Sequence, residues 1–127
     1  MACSLSQEGP PVASNTVTVN DNGGDVTVTG SNNDVHTYGT TSYYTRNDTT
    51  VTGDNNTVSL HGQDDTVEVN DDNNKVTVFG NGDTALIYQG DSNSVTINGD
   101  DNVSTVNGNH SEAITSGTEN LASVTGD

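Results

Sequence analysis

Valine, leucine and isoleucine recur along this chain in pairs separated by one polar residue, and the pairs return every nine residues. The clearest run is GDNNTVSLHGQDDTVEVNDDNNKVTVFGNGD, from Gly53 to Asp83. If the Gly or Asp that opens a unit is position 0, an Asn or Asp stands at position 3, with apolar residues at positions 5 and 7. Such alternation is typical of a half-buried β-strand, whereas Gly and Asn/Asp supply the positive φ angles and side-chain hydrogen bonds of tight turns. Each unit therefore predicts one turn and one strand.

The same frame extends over roughly residues 12–126, in about twelve units. Residues 39–43 fit no unit and are predicted to form an inserted loop. The register slips by one residue near Gln89 and then resumes. Towards the C-terminus the paired positions weaken, as at Ala122 and Val124.

A nine-residue unit cannot bury its own apolar pair, but stacked units can. The prediction is an all-β protein: a β-solenoid (parallel β-helix or β-roll) in one domain over 12–127, with residues 1–11 as an N-terminal extension and candidate anchor. Two units per coil would give a flattened roll, three a triangular prism, and three chains wound together a shared prism. Three sides are favoured because every third unit carries the same outward residue type, at Thr18, Thr50, Thr77 and Thr105.

The composition limits the possible partners. A hydrophobic fraction of 28% and a formal charge of −16 with two basic residues are typical of disorder, but the strict placing of the apolar residues favours an ordered solenoid. The acidic balance argues against nucleic acid and against anionic membranes, and no apolar run approaches the ~20 residues of a spanning helix. Cys3 is the single cysteine, which excludes an internal disulfide and a cysteine-based metal site. The opening MACSLSQEGPP lacks the features of a signal peptide.

Position 3 is interpreted as a structural turn ladder, because stacked Asn side chains reinforce neighbouring strands. Its predicted members are Asn15, Asn33, Asn47, Asn56, Asp65, Asn74, Asp83, Asn93, Asn102 and Asn120.

The stretches GNGDTALIY and GQDDTVEV resemble the RTX repeat, G-G-x-G-x-D-x-U-x, in period and in the D-x-U element. The resemblance implies Ca²⁺ held between coils by aspartates and turn carbonyls, with Asp65 and Asp83 as the candidate ligands. Each unit here has one glycine rather than three, and position 3 is more often Asn than Asp. A neutral ladder without a metal or other cofactor is therefore the preferred interpretation, and a calcium-binding repeat module is the alternative.

A second alternative is an ice-binding or adhesive surface, since some β-solenoids present rows of Thr-x-Thr. Suitable pairs occur at Thr16/Thr18, Thr50/Thr52 and Ser94/Thr96. The rows are interrupted by Asp34, His36, Glu68, Lys75 and Leu86. No uniform face is predicted for either stacking.

Catalysis has little support, and we expect a protein that is not an enzyme. His36, His61 and His110 fall in different units without the spacing of a nucleophile and a base. The aromatic residues are candidate partner contacts or a cap on the coil: Tyr38, Tyr43, Tyr44, Phe79 and Tyr88.

The valine–glycine periodicity is similar to that of β-helical needles, spikes and decoration proteins of tailed phages, and the G-x-x-N-x-V-x-V-x units resemble repeats in mycobacterial surface and lipoprotein domains. These resemblances imply a non-enzymatic structural protein on a virion surface or outside the cell. The expected partners are further copies of the chain, as in a homotrimer, and a capsid or other surface scaffold bound through the N-terminus. Neither nucleic acid binding nor membrane insertion is expected.

Overall fold

A computed structural model describes residues 3–6, 15–20, 23–39 and 46–127. Within these ranges no helix is long and apolar enough to cross a membrane. The described residues form thirteen strands: β1 (Cys3–Ser6), β2 (Thr16–Asn20), β3 (Asp25–Thr29), β4 (Asp34–Tyr38), β5 (Asp48–Thr52), β6 (Thr57–Gln63), β7 (Thr66–Asn70), β8 (Lys75–Asn81), β9 (Thr84–Gln89), β10 (Ser94–Asn98), β11 (Val103–Asn107), β12 (Glu112–Ser116) and β13 (Leu121–Thr125).

The strands form two parallel sheets that together make a β-solenoid. The odd-numbered strands form a seven-stranded sheet and the even-numbered strands a six-stranded sheet. Consecutive strands therefore lie in opposite sheets, and one coil contains two units, with equivalent residues 18 apart. The predicted all-β solenoid is confirmed, and it has the flattened two-sheet form.

The preference for a three-sided prism is wrong. With two units per coil, the neighbours of Thr77 are Ser59 and Thr96 rather than the threonines three units away. The threonine match failed as a guide because these side chains point away from the core, where packing does not constrain residue type.

The backbone of the turns is regular, and it explains why the chain reverses direction after each strand. Position 2 is left-handed in unit after unit, for example at Asn55 (φ 58°), Asp64 (φ 57°) and Asn73 (φ 59°). Asn and Asp enter this region more readily than other residues with a Cβ. The chain therefore turns back within a few residues, and the next strand joins the opposite sheet.

The core lies between the sheets and is built from positions 5 and 7. Its members are Val17, Val26, Val28, Val35, Val51, Val58, Leu60, Val67, Val69, Val76, Val78, Ala85, Ile87, Val95, Ile97 and Val106. Burial of each valine, leucine or isoleucine contributes roughly 1.5–3 kcal/mol. Thr37 and Thr49 take two interior positions, where their hydroxyl oxygens lie 3.3 Å apart and share a hydrogen bond.

Strand pairing shows where the repeat is interrupted. Equivalent residues are 23 apart across the coil that follows β4, as for Asn33 and Asn56, which places five additional residues between β4 and β5. The predicted loop at 39–43 lies outside the described residues apart from Gly39. A register shift between Val69 and Asn70, where β7 meets β9, matches the slip near Gln89. Equivalent residues are 19 apart across the coil that contains it, as for Asn74 and Asn93, and 18 apart again after it, as for Asn102 and Asn120.

The two ends of the solenoid differ from its middle. Strand β1 continues the seven-stranded sheet by pairing with β3, although the nonapeptide pattern does not predict it. The rest of the 1–11 extension lies outside the described residues, and its anchoring role stays a prediction. At the other end the paired positions Ala122 and Val124 are both exposed, Val124 by 46%, which agrees with their weakening in the sequence.

Candidate functional site

The position-3 side chains form two columns, one along each side of the solenoid. We call the turns from the six-stranded to the seven-stranded sheet the first turn edge, and the opposite turns the second turn edge. At each step the main-chain N–H of a position-3 residue donates to the side-chain oxygen of its equivalent one coil later. Examples are Asn56 N–H to Asn74 Oδ1 at 2.8 Å and Asp65 N–H to Asp83 Oδ1 at 2.8 Å. We call these columns the inner ladders.

All ten predicted turn-ladder residues lie in the inner ladders. The first turn edge contains Asn47, Asp65, Asp83, Asn102 and Asn120, and the second contains Asn15, Asn33, Asn56, Asn74 and Asn93. Two further residues occupy ladder positions without an amide or carboxyl: Ser111 accepts from Asn93 N–H at 3.2 Å, and Gly24 donates to Asn47 Oδ1 at 3.1 Å. Ser111 carries no Asn/Asp signal, so the sequence pattern missed it.

Some of the asparagine amide nitrogens also donate to turn carbonyls. Those of Asn33 and Asn47 donate to the side-chain oxygen one coil later instead, and Asn93 Nδ2 is buried without a partner among the described residues. On the second turn edge, Asn56 Nδ2 donates to Gly53 O at 2.7 Å and Asn74 Nδ2 to Asp71 O at 3.0 Å. A buried carbonyl without a donor would cost free energy. An asparagine at position 3 therefore provides both an acceptor for the adjacent coil and a donor for the turn.

Asp65 and Asp83 are the two acidic members of the inner ladders. Each is only 1% exposed, and the Oδ2 atom of each is buried without a hydrogen-bond partner among the described residues. Burial raises the pKa of Asp65 to about 6, although N–H groups of Asn47 oppose the change. Burial raises the pKa of Asp83 to about 7, and the adjacent Asp65 carboxyl adds to the rise. The described residues contain no group of three or more His, Cys, Asp or Glu side chains placed to hold a metal.

A second set of side-chain hydrogen bonds lies outside the inner ladders, at position 1 of the turns, and we call it the outer ladder. On the second turn edge the direction is reversed: Asp72 N–H donates to Asp54 Oδ1 at 3.0 Å, and Asp91 N–H donates to Asp72 Oδ1 at 2.8 Å. On the first turn edge, hydrogen bonds from Thr118 lower the pKa of Asp100. The sequence pattern does not predict the stacking of these carboxylates, because they are aligned only when two units make one coil.

An aromatic column runs across the outer face of the six-stranded sheet. Tyr38, His61 and Phe79 are in register on neighbouring strands, and their rings are stacked at centroid distances of 5.1 and 4.7 Å. The column, which we call the ring stack, leaves Tyr38 41% and Phe79 43% exposed. His61 was not expected among the aromatic contacts, because only the coil period places it between the other two rings.

The remaining predicted contact residues are not part of the ring stack. Tyr88 lies in β9 of the seven-stranded sheet, where its hydroxyl donates to Glu68 Oε1 at 3.2 Å. Tyr43 and Tyr44 lie outside the described residues.

His36 and His61 both stack on the Tyr38 ring, at centroid distances of 6.3 and 5.1 Å, whereas His110 lies apart from them. His36 Nε2 lies 3.1 Å from Asp34 Oδ1, and His110 is exposed in a second-edge turn with φ 54°. His61 Nε2 lies 3.2 Å from Ser59 Oγ on the open outer face of the six-stranded sheet, between two rings of the ring stack.

The outward residues in the middle of the strands form mixed rows. On the six-stranded sheet the row is Thr18, His36, Ser59, Thr77, Thr96 and Ile114, and on the seven-stranded sheet it is Thr27, Thr50, Glu68, Leu86, Thr105 and Ser123. An open depression on the latter sheet is bordered by Arg46, which forms an ion pair with Asp48 at 2.9 Å. Among the described residues, neither face has a continuous row of threonines.

Among the described residues, most of the buried polar side chains form hydrogen bonds that join one coil to the next. The inner ladders bond coils across both turn edges, and the outer ladder repeats the linkage at the surface. No protein-family model matches the chain, and neither the curated proteins nor the solved structures contain a match. Its function is therefore inferred from the chemistry of these residues.

Proposed function

We propose that the chain is a non-enzymatic structural protein that presents a stiff, acidic β-solenoid at a surface, as a decoration or spike-type component of a virion does. The observation that supports this most is the pair of inner ladders. Their members use the polar groups that could bind a ligand to bind the adjacent coil instead, as Asn74 does with Asn56 and Asn93.

Stiffness follows from the same contacts. Seven strands at a spacing of about 4.8 Å give a rod roughly 29 Å long. Each coil is tied to the next by two sheet ladders, by two inner ladders and, over part of the rod, by the outer ladder. Bending the rod would require many short hydrogen bonds to lengthen together.

The charge suits an exposed position. With 18 acidic and two basic residues, the outer surface repels other acidic surfaces, which favours solubility and disfavours non-specific association. The proposed partners are further copies of the chain, as in a homotrimer, and a capsid or other surface scaffold. Because β1 pairs with β3, a scaffold that binds the N-terminal segment would hold the solenoid by its first coil.

Immunogold electron microscopy on intact virions and cells of the source tests the location. We expect label on the outer surface of particles or cells, and label confined to the cell interior would contradict the proposal. A variant lacking residues 1–11 should lose the surface label while its circular dichroism keeps the β signal. The matched control, Y38S/F79S, alters the ring stack and should keep the label.

Light scattering of the purified protein tests the proposed assembly. A homotrimer predicts three times the chain mass of 13.1 kDa. A clean monomer at all concentrations would contradict the homotrimer but not the surface location.

A further inference from the structure

The first turn edge contains a repeated contact between a position-3 amide and a glycine carbonyl one coil earlier. Asn102 Nδ2 donates to Gly80 O at 3.0 Å, and Asn120 Nδ2 donates to Gly99 O at 2.8 Å. In two consecutive coils, therefore, the glycine carbonyl of a turn accepts a hydrogen bond from a side-chain amide of the following coil. The same column continues towards the N-terminus, where the position-3 residues are Asp83 and Asp65.

The aspartates place an oxygen where the asparagines place a nitrogen. A Cβ built on Gly80 would meet both Gly62 O and Asp83 Oδ2, so this carboxyl oxygen lies beside the glycine carbonyl one coil earlier. Asp65 Oδ2 is packed against Gly62 of its own turn and lies 3.6 Å from a Cβ built on Gly39, the glycine one coil earlier on the same edge. Both Oδ2 atoms are buried without a partner, and an ionised carboxylate could only place another acceptor beside the carbonyl.

The charges around the pair are acidic. Asp64 and Asp48 act on Asp65, while Asp65 and Asp64 act on Asp83. Arg46, one coil earlier, is paired with Asp48 on the outer face.

Other titratable groups on the adjoining elements point away from the pair. The His61 ring belongs to the ring stack, and Asp101, beside Asn102 in the following coil, is exposed. Among the described residues, neither Asp65 nor Asp83 forms an ion pair with a basic group. Burial and like charge therefore both favour the neutral acid.

We propose that Asp65 and Asp83 are a proton-binding pair: in mildly acidic solution each is a neutral carboxylic acid in the folded protein and donates its proton to a turn carbonyl, as the amide does in the later coils. When the two protons are lost, carboxylate oxygens face carbonyl oxygens without a hydrogen bond between them. This weakens the stacking of the coils from β6 to β9. The solenoid thereby contains a pH-sensitive joint within its hydrogen-bonded column.

The sign of the effect follows from the folded and unfolded acids. The folded pKa values, about 6 and about 7, lie above the ordinary value of 3.8, so folding takes up protons between these limits. The stabilisation that these two carboxyl groups contribute is therefore complete below about pH 4, decreases as the pH rises, and is lost above about pH 7. Each such group changes the folding equilibrium constant by up to tenfold per pH unit in the window between its two pKa values.

Urea unfolding of D65N/D83N and of a matched variant, D72N/D91N, tests the proposal at pH 5 and pH 8 in chelator-containing buffer. At pH 8 both variants remove two negative charges, but the second does so in the exposed outer ladder, where Asn can accept the same hydrogen bonds. We expect the folding equilibrium constant of wild type and D72N/D91N to fall tenfold or more from pH 5 to pH 8, and that of D65N/D83N to fall much less. Equal pH dependence in all three proteins would overturn the proposal.

Two further experiments test whether the pH dependence arises from proton binding and from this pair of aspartates. If added CaCl₂ at pH 8 restored wild-type stability to its pH 5 level, the pair would bind a metal rather than a proton. If H61Q abolished the pH dependence, the titrating group would be His61. Either result would overturn the proposal, whereas an unchanged response in both arms supports it.

Carbon-13 NMR of the folded wild type detects the protonation state of the same two carboxyl groups directly. It requires no unfolding and does not depend on whether the variants fold. We expect two aspartate carboxyl carbons to keep the chemical shift of the protonated acid at pH 5 and to titrate between about pH 6 and 7. Titration of every aspartate below pH 5 would overturn the proposal.

Discussion

Asparagine at position 3 suits the solenoid because its amide carries an acceptor and a donor on one short side chain. Asn74 shows both functions: Oδ1 accepts from Asn56 N–H at 2.8 Å, and Nδ2 donates to Asp71 O at 3.0 Å. The bond from Asn56 N–H is buried and Asn74 itself is 1% exposed, so water cannot replace the Asn74 oxygen there. Outer-ladder residues such as Asp72 make a comparable bond in contact with solvent.

The first prediction compares one residue of each ladder. N74A leaves the buried N–H of Asn56 without an acceptor, and we expect a loss of about 1–3 kcal/mol in the free energy of unfolding. D72A removes the acceptor of Asp91 N–H, but water can replace it, so its loss should be clearly smaller. Urea titration followed by circular dichroism measures both, and equal losses would contradict the distinction between inner and outer ladders.

At the scale of the strand, burial is uneven along the solenoid. In β6 and β8 both inward residues are close to fully buried, whereas the inward residues of β13, Ala122 and Val124, are exposed. The apolar surface removed from water is the main stabilising contribution of each strand. The middle coils should therefore contribute most of the stability.

The second prediction tests this gradient with the same substitution at position 7 of two strands. V78A removes two methyl groups from a fully buried side chain between the sheets and should cost about 1.5–3 kcal/mol. V124A acts on an inward side chain that is 46% exposed and should cost no more than about 1 kcal/mol. Thermal unfolding of the two variants beside the wild type provides the measurement, and an equal loss in both would show that β13 is covered in solution.

The strands and turns could be predicted from the sequence because both depend on neighbours a few residues apart. The alternation at Val76 and Val78 specifies a strand, and the Asn/Asp before it specifies a turn. The number of units per coil could not be predicted, because it depends on how sharply each turn reverses the chain. The left-handed residue at position 2, such as Asn73, determines that geometry, and its identity alone does not reveal its φ.

The same limit explains which site residues escaped prediction. The position-3 column was recognisable because its members share a residue type. Stacking of Tyr38, His61 and Phe79 was not, since three different residues become neighbours only through an 18-residue coil and a five-residue insertion. The buried Oδ2 of Asp83 likewise depends on the close approach of Gly80 in three dimensions.

At the scale of the whole molecule, folding brings like charges together. The chain has 18 acidic and two basic residues, and the outer ladder stacks Asp54, Asp72 and Asp91 on successive coils. Adjacent coils are about 4.8 Å apart, which is less than the Debye length of about 10 Å at 0.1 M salt. The folded state therefore carries a repulsion that the unfolded chain relieves by spreading its charges.

The third prediction follows from this repulsion. At pH 8 the unfolding temperature should rise by several degrees between 0.02 and 0.5 M NaCl, because added ions screen the exposed carboxylates. The variant D54N/D72N/D91N keeps an acceptor at each outer-ladder position but removes three of the stacked charges, so its unfolding temperature should rise less. D65N/D83N is the control for location: its charges lie in the interior, where salt screens weakly, so removal should leave the salt dependence close to that of the wild type. Differential scanning calorimetry of the three proteins separates surface repulsion from the buried pair, and an equal salt response in D54N/D72N/D91N and wild type would contradict the stacked-charge explanation.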